Sequence, residues 1–378
     1  MFPHRCNATP FDLTDVRQIL ALRPGAIGDT LLTFPALRTL RERFPGAGLT
    51  VVGNRPALEL GRGAGLLDTA DAFGADWVSD LFGDEPTDAL KQCLERYDLA
   101  IVWLHTAEAA RDLARMLRAA GVRAVLPALS FPAPGSRHHL AEHLRDELAP
   151  LGVAAASAEG RVLPPLPGGE GGGEGGVVPG DNVRGRIPSA LTLTLFPRER
   201  ESAECQLHQL ASDRHAHGGT PLLVLHPGAG ARYKRWPAER YAELAGRFAA
   251  EGCEVAVTAG PADEEAVEAF IRAARGIEAR VLAGLRLDAL AAELARASLV
   301  IGNDSGITHL AALVGAPTLA LFGPYDPAYW RPIGPRVAVL DAGKDCPHRA
   351  DPREGCRSCN LLDSLDVQSV WSLARRFA

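Results

Sequence analysis

Short apolar runs alternate along the chain with stretches in which apolar residues recur every three or four positions. In the N-terminal part, four apolar runs have the length of a buried strand: VRQILALRP, LTVVGN, YDLAIVWLH and VRAVLPA. The longest intervening stretches, LLTFPALRTLRERFP and AEAARDLARMLRAAG, have the spacing of amphipathic helices. Alternation of strands and helices predicts a mainly parallel sheet that is covered by helices on both faces.

The same alternation resumes in the C-terminal part, where the predicted strands are LLVLHP, CEVAVTAG, ARVLAG, ASLVIGND and PTLALFGP. Between the two parts, Gly and Pro dominate and no apolar periodicity occurs, which predicts a flexible insertion. The pattern predicts an N-terminal Rossmann-like domain, the insertion, a second Rossmann-like domain and a Cys-containing tail with a helix, over residues 1–162, 163–189, 190–345 and 346–378. Ligands of such sheets bind outside the carboxyl ends of the strands, so we expect them in a cleft between two facing domains.

Composition narrows the class of protein. The 378 residues are 47% apolar and carry a formal net charge of −6, which argues against nucleic acid as a partner. The N-terminus has no signal-peptide pattern, and no apolar run reaches the roughly eighteen residues of a membrane-spanning helix. The seven cysteines do not form a secreted disulfide framework. We therefore expect a cytoplasmic protein.

The first motif that carries chemistry is RPGAIGDT, residues 23–30, between a predicted strand and a helix. Gly25 and Gly28 permit a tight turn and close approach of a substrate. Asp29 lies near the helix start, where a carboxylate can accept a proton from a sugar hydroxyl. Aspartate at this position also caps helices, and the segment alone favours that structural role.

The second motif is HPGAG, residues 226–230, followed by Lys234 and Arg235. Flexible backbone at Gly228 and Gly230, beside two cations, suits a diphosphate, which needs amide donors and positive charge. An ordinary strand-to-helix loop with a solvated pair of cations explains the same residues equally well.

The third motif is IGNDSGITHL, residues 301–310, in which a strand ends and an apolar helix begins. The free amides at Ser305 and Gly306 form an anion site at the positive end of the helix dipole. Asp304 is a candidate partner for a ribose hydroxyl. His309 lies one turn into the helix, where a histidine is usually a core residue, but its spacing from Asp304 favours a function.

Near the C-terminus, Cys346, His348, Cys356 and Cys359 supply four candidate ligands for zinc. Packed thiols or an occasional disulfide are the favoured alternative. We therefore expect no bound metal.

The three motifs together resemble glycosyltransferase family 9, the lipopolysaccharide heptosyltransferases. The resemblance implies an α/β protein of GT-B fold, with an N-terminal acceptor domain and a C-terminal nucleotide-sugar domain. It implies an inverting transferase that needs neither a metal nor another cofactor, with ADP-heptose as donor co-substrate. The acceptor is expected to be a lipopolysaccharide-core or related glycan or glycolipid, with peripheral contact at the cytoplasmic face of the inner membrane.

Carried over by motif, the resemblance makes Asp29 the general base and Lys234 a contact of the donor phosphates. Ser305, Gly306 and His309 are expected to hold the same diphosphate, and Asp304 belongs to that site. The candidate loop residues are Gly25, Gly28, Gly228, Gly230 and Arg235.

One departure concerns Ala262, which stands where the family often has an acidic nucleotide contact. Two alternatives therefore stay open: a GT-B transferase of another nucleotide sugar, and a non-catalytic relative that binds sugar nucleotides. A dinucleotide oxidoreductase is disfavoured, because neither half has a complete GxGxxG motif followed by an acid.

Overall fold

The computed structural model describes residues 13, 15–133, 136, 138–153, 220–349 and 355–377. Contacts between Cα atoms divide the chain into two compact units, Met1–Glu159 and Gly160–Ala378. The predicted insertion over residues 163–189 lies outside the described residues. The domain boundaries given in the sequence analysis stay predictions.

The N-terminal unit is a five-stranded parallel sheet with strand order β3-β2-β1-β4-β5. Its strands are β1 (Gln18–Leu22), β2 (Gly48–Gly53), β3 (Thr69–Ala72), β4 (Leu99–Leu104) and β5 (Ala124–Leu129). Its α-helices are α1 (Ile27–Leu31), α2 (Phe34–Arg43), α3 (Arg55–Gly63), α4 (Asp76–Ser79), α5 (Asp88–Leu94), α6 (Ala107–Ala119) and α7 (Leu140–Asp146). Short 3-10 turns occupy Asp80–Phe82 and Ala149–Leu151. Every residue of β4 is buried, as expected for a central strand covered on both faces.

The described part of the C-terminal unit is a six-stranded parallel sheet with order β11-β10-β9-β6-β7-β8. Its strands are β6 (Leu222–His226), β7 (Glu254–Ala259), β8 (Ala279–Ala283), β9 (Leu299–Asn303), β10 (Thr318–Phe322) and β11 (Val337–Asp341). Its α-helices are α8 (Ala238–Ala250), α9 (Glu264–Ala273), α10 (Leu287–Arg296), α11 (Gly306–Leu313), α12 (Pro327–Trp330) and α13 (Val367–Phe377). Short 3-10 turns occupy Arg232–Lys234 and Leu361–Ser364.

Two details differ from the sequence analysis. The helix predicted over LLTFPALRTLRERFP is divided, because α1 ends at Leu31 and α2 begins at Phe34 with Pro35 in its first turn. Proline has no amide hydrogen to continue a helix but fits its first turn. Strands β3 and β11 were not predicted, and β3 is only four residues long with no fully buried position. Within the described residues, no helix is long and apolar enough to cross a membrane.

Candidate functional site

The central strands of the C-terminal sheet bring the second and third motifs together. Strands β6 and β9 are neighbours in parallel register, and His226 pairs with Gly302 at their carboxyl ends. The loop after β6 therefore lies beside the turn after β9, at the edge of the sheet where α/β proteins bind ligands.

Asn303 ties these two loops to each other. Its buried Nδ2 donates to the carbonyl oxygens of Pro227 and Gly228 at 2.9 and 3.2 Å. Its Oδ1 accepts from the backbone amide of Trp236 at 2.9 Å. The amide side chain satisfies three backbone groups, which fixes the shape of the glycine-rich loop. Asn303 lies within the third sequence motif, but no role was predicted for it.

Lys234 and Asp304 form the charged centre of this edge. The Nζ atom of Lys234 lies 2.6 Å from Asp304 Oδ2, and the side chains are 21% and 9% exposed. His309 Nε2 lies 3.9 Å from Asp304 Oδ1. The structure thus brings together three of the predicted donor-site residues from two separate motifs.

One aromatic ring covers the lysine, and a second tyrosine contacts that ring. Lys234 Nζ lies 4.5 Å from the centroid of the Tyr325 ring, within the range of a cation–π contact. The hydroxyls of Tyr233 and Tyr325 lie 3.5 Å apart, and burial, followed by the contact with Tyr233, raises the pKa of Tyr325 to about 12. Tyr325 was not predicted as a site residue, because only the fold places the end of β10 beside this loop.

Ser305 and Gly306 begin helix α11 immediately after Asp304. The Oγ atom of Ser305 caps the helix by accepting from the amide of Thr308 at 3.3 Å, and Gly306 is the first helical residue. The first amides of a helix have no acceptor within it and lie at the positive end of its dipole. These amides and the Lys234 ammonium provide the two kinds of group that bind a phosphate anion.

The glycine-rich loop itself is tightly fitted at one glycine and open at the other. A Cβ atom at Gly228 would lie 1.9 Å from Asp263 Oδ1, whereas a Cβ at Gly230 would meet nothing within 4 Å. Asp263 Oδ2 accepts from the amide of Gly260 at 3.0 Å. The carboxylate against the loop therefore belongs to Asp263, one position after Ala262, where the sequence analysis looked for an acid.

Arg235 supports the same loop. Its guanidinium donates to the carbonyl oxygens of Ala229 and Ala262 at 3.3 Å and pairs with Glu265 at 2.9 Å. Arg235, which was predicted as a loop residue of the site, therefore contacts protein groups in this structure. It links the glycine-rich loop to the start of α9.

His226 is buried at the end of β6, where burial lowers its pKa to about 4. Its Nδ1 lies 2.7 Å from the hydroxyl of Thr258 on the adjacent strand. The imidazole is therefore neutral near neutral pH and serves the packing of the sheet.

In the N-terminal unit, Asp29 lies in the first turn of α1. Its Oδ2 accepts from the amide of Ala26 at 2.9 Å, which is the capping contact considered in the sequence analysis. Gly25 adopts a φ of +154°, and a Cβ there would lie 2.6 Å from the Cβ of Asp29. Gly28 lies within α1, directly before Asp29. The carboxylate remains 24% exposed, so the capping contact does not prevent it from reaching a substrate.

Arg23 is the partner of Asp29 that the sequence analysis did not select. Its NH2 lies 3.4 Å from Asp29 Oδ1, and its side chain is only 1% exposed. Burial lowers the pKa of this guanidinium, and the charge of Asp29 opposes that shift. The only signal in the sequence was an arginine at the end of an apolar strand, which is too common to identify a site.

The tail residues also converge. The ligand atoms of Cys346, His348, Cys356 and Cys359 all lie within 4.8 Å of one another. The spacing of these four residues made them candidate ligands together, but their convergence was not predicted.

Comparison with known proteins finds sequence similarity in the C-terminal part of the chain. Residues 192–359 match the family model described as glycosyltransferase family 9 (heptosyltransferase). The chain is 33% identical over 170 residues to lipopolysaccharide heptosyltransferase 2 of Escherichia coli K12. This aligned region covers 43% of this chain and 47% of that protein. The chain thus spans about half the length of the curated relatives it matches.

Solved structures extend the likeness to the whole fold. The glycosyl transferase family 9 protein of Veillonella parvula matches with a TM-score of 0.64 at 19% identity, over 96% of this chain and 97% of that one. An E. coli heptosyltransferase with ADP matches with a TM-score of 0.61 at 18% identity, over 96% and 100%. The predicted GT-B class, with two parallel α/β units, is confirmed. Residues 192–359 of the chain are therefore similar to glycosyltransferase family 9, the heptosyltransferase family.

Proposed function

We propose that this protein is an inverting glycosyltransferase that moves heptose from ADP-heptose to a lipopolysaccharide-core or related glycan acceptor. The observation that carries the proposal is the pairing of Lys234 with Asp304 at the start of α11, inside the segment that matches the family. ADP is the nucleotide named for one structural neighbour, and heptose transfer is named for the curated relatives.

In this proposal, the donor diphosphate lies at the N-terminus of α11. The amides after Ser305 and the ammonium of Lys234 bind its oxygens, and His309 supports them from one turn further along the helix. Asp304 holds the ammonium in place, since the two atoms lie 2.6 Å apart. The donor approaches the backbone of the glycine-rich loop at Gly230, where a Cβ atom would meet nothing within 4 Å.

Asp29 acts as the general base. It removes the proton from an acceptor hydroxyl while that oxygen forms a bond to the anomeric carbon of the donor. The bond from that carbon to the diphosphate breaks, and the electron pair leaves with ADP. Attack opposite the leaving group inverts the anomeric configuration. A positioned base contributes about 10²–10⁴-fold to such a rate, and one preorganised donor at the leaving group about 3 kcal/mol.

The proposal needs no metal for the transfer step, because Lys234 and the helix amides supply the positive charge that the leaving diphosphate requires. We propose that the acceptor is a glycolipid at the cytoplasmic face of the inner membrane, which the protein contacts peripherally. The choice of a glycolipid acceptor is supported by the names of the curated relatives, which are lipopolysaccharide heptosyltransferases.

The test is a binding panel followed by a transfer assay. Calorimetric titration with ADP-heptose and with UDP-, GDP- and CMP-linked sugars should give selective binding of ADP-heptose. Incubation with ADP-heptose and heptose-free core acceptor should then give the glycoside and an equal amount of ADP. Selective binding of another nucleotide sugar would reassign the donor. Binding without transfer to any core acceptor would instead support the non-catalytic alternative.

A further inference from the structure

We propose that Cys346, His348, Cys356 and Cys359 bind one structural Zn²⁺ ion. All four ligand atoms lie within 4.8 Å of one another, and His348 Nδ1 lies 3.4 Å from Cys359 Sγ. Tetrahedral zinc places its sulfur and nitrogen ligands about 3.5–4 Å apart, as follows from metal–ligand bonds of roughly 2.0–2.3 Å. The four side chains need only small adjustments to surround one ion.

The Cys356–Cys359 turn holds two of the three thiols close to each other. The thiols of Cys346 and Cys359 lie within hydrogen-bonding reach of the Cys356 sulfur, and the backbone amides of Ser358 and Cys359 are directed at it. Cys356 is also buried, which places the sulfur where a closed metal site needs it.

Both ligand segments are anchored to the sheet independently of any metal. The amide of Cys356 donates to the carbonyl oxygen of Pro324 at 2.9 Å, just beyond β10. Arg349 follows His348 and donates to Asp341 Oδ2 at 2.8 Å, at the end of β11. The ion would therefore link a segment fixed at the end of β10 to one fixed at the end of β11.

The ligand chemistry favours zinc over a disulfide. The cysteines among the described residues are free thiols, and a disulfide would engage only two of these three and leave the imidazole without a role. Three soft thiolates and one imidazole, all supplied by the protein, match a closed structural zinc site.

The site has a consequence for the edge of the sheet that carries Lys234. Arg357, which lies between the two ligands of the turn, hydrogen-bonds to Tyr325 and lies 6.0 Å from the Tyr233 ring. Tyr325 in turn covers the ammonium of Lys234. A bound ion would fix the position of Arg357 and, through Tyr325, that of Lys234. An effect of the ion on donor binding rests on the proposed function, whereas the binding of the metal itself does not.

The test measures metal directly in the full chain, purified under reducing conditions without a metal-affinity tag or chelator. Elemental analysis should find about one zinc per chain, the stoichiometry of a closed four-ligand site. Replacement by Co²⁺ should give the visible absorption of tetrahedral cobalt with thiolate-to-metal charge transfer. Neither measurement requires a variant to fold.

Variants then locate the ion. Cys356→Ser and His348→Ala should lose the zinc or bind it much more weakly, and His348 is the exposed member of the four. Cys253→Ser, a half-buried thiol elsewhere in the same unit, should keep it. The proposal is overturned if wild-type protein binds no stoichiometric zinc after reconstitution, if iron is the resident metal, or if both ligand variants retain full zinc content.

Discussion

The Nζ atom of Lys234 lies 2.6 Å from Asp304 Oδ2, so the loop after β6 and the turn after β9 meet through an ion pair. Only 9% of the Asp304 side chain is exposed. Removing one member of such a pair leaves the other charge poorly solvated, which is costly. Each charge therefore compensates the other, and the pair holds a cation beside the residue that precedes the start of α11.

Lys234→Ala should weaken ADP binding by about 10–100-fold, because a hydrogen bond to a charged group is worth roughly 1.5–3 kcal/mol. Isothermal titration with ADP measures the change. The matched control is Lys91→Ala, which removes an exposed ammonium paired with Asp88 at 3.1 Å in the other unit. Equal ADP affinity in the two variants would exclude Lys234 as a donor contact.

The alanine variant also leaves the Asp304 carboxylate without its cation. The double variant Lys234→Ala, Asp304→Asn removes that charge and separates the two effects. If the thermal midpoint recovers in the double variant while ADP affinity stays low, the binding loss reflects the missing ammonium.

Asp29→Asn should reduce the transfer rate by about 10²–10⁴-fold while donor affinity stays unchanged, because the amide cannot take up a proton. The asparagine Oδ1 can still accept from the amide of Ala26, so the start of α1 should remain intact. Single-turnover kinetics with saturating donor measure the rate. Asp88→Asn, in the first turn of α5, is the control for loss of a carboxylate at a helix start. A rate for Asp29→Asn within a few-fold of wild type would leave Asp29 only its capping role.

The three motifs were visible in the sequence because each is continuous. A strand, a turn of small residues and a helix start follow one another within ten positions, and helix α11 begins at Gly306, as predicted. The alternation of short apolar runs with helix-like stretches likewise predicted most of the strands. The short polar strand β3 has no such signal and depends on its pairing with β2.

The partners of these residues were not readable from the sequence, since they come from distant segments. Tyr325 reaches Lys234 because β10 and β6 flank β9, which only the strand order determines. The cysteine–histidine cluster has the same origin. The CxxC spacing keeps Cys356 and Cys359 close together. The fold of residues 323–349 decides whether Cys346 and His348 lie beside them.

Gly228→Ala should destabilise the C-terminal unit by about 1–3 kcal/mol, the usual cost of forcing an extra methyl group into a filled space. The new Cβ would lie 1.9 Å from Asp263 Oδ1, so the carboxylate and its bond to the Gly260 amide must move. Gly230→Ala in the same loop meets nothing within 4 Å and should change stability by less than about 0.5 kcal/mol. Calorimetric midpoints of the two variants check the difference, and equal midpoints would contradict the close fit at Gly228.

Acid should destabilise the C-terminal unit through His226. Burial is the main cause that lowers its folded-state pKa to about 4 from 6.5; Arg235 acts in the same direction and Asp263 opposes it. Between these two values the unfolded chain binds a proton that the folded chain does not. Stability conferred by the neutral imidazole is therefore full above about pH 6.5 and falls by roughly 1.4 kcal/mol per unit as the pH drops towards 4.

His226→Gln should flatten that dependence, because glutamine can still hydrogen-bond to Thr258 but does not titrate. Denaturant unfolding at about pH 7.5 and about pH 5 should show wild type losing roughly 2 kcal/mol more than the variant, given the slope above. His105→Gln, which changes an exposed histidine in the other unit, should behave as wild type. If wild type and His226→Gln lose the same stability on acidification, the imidazole at the end of β6 is not the group that makes the C-terminal unit sensitive to acid.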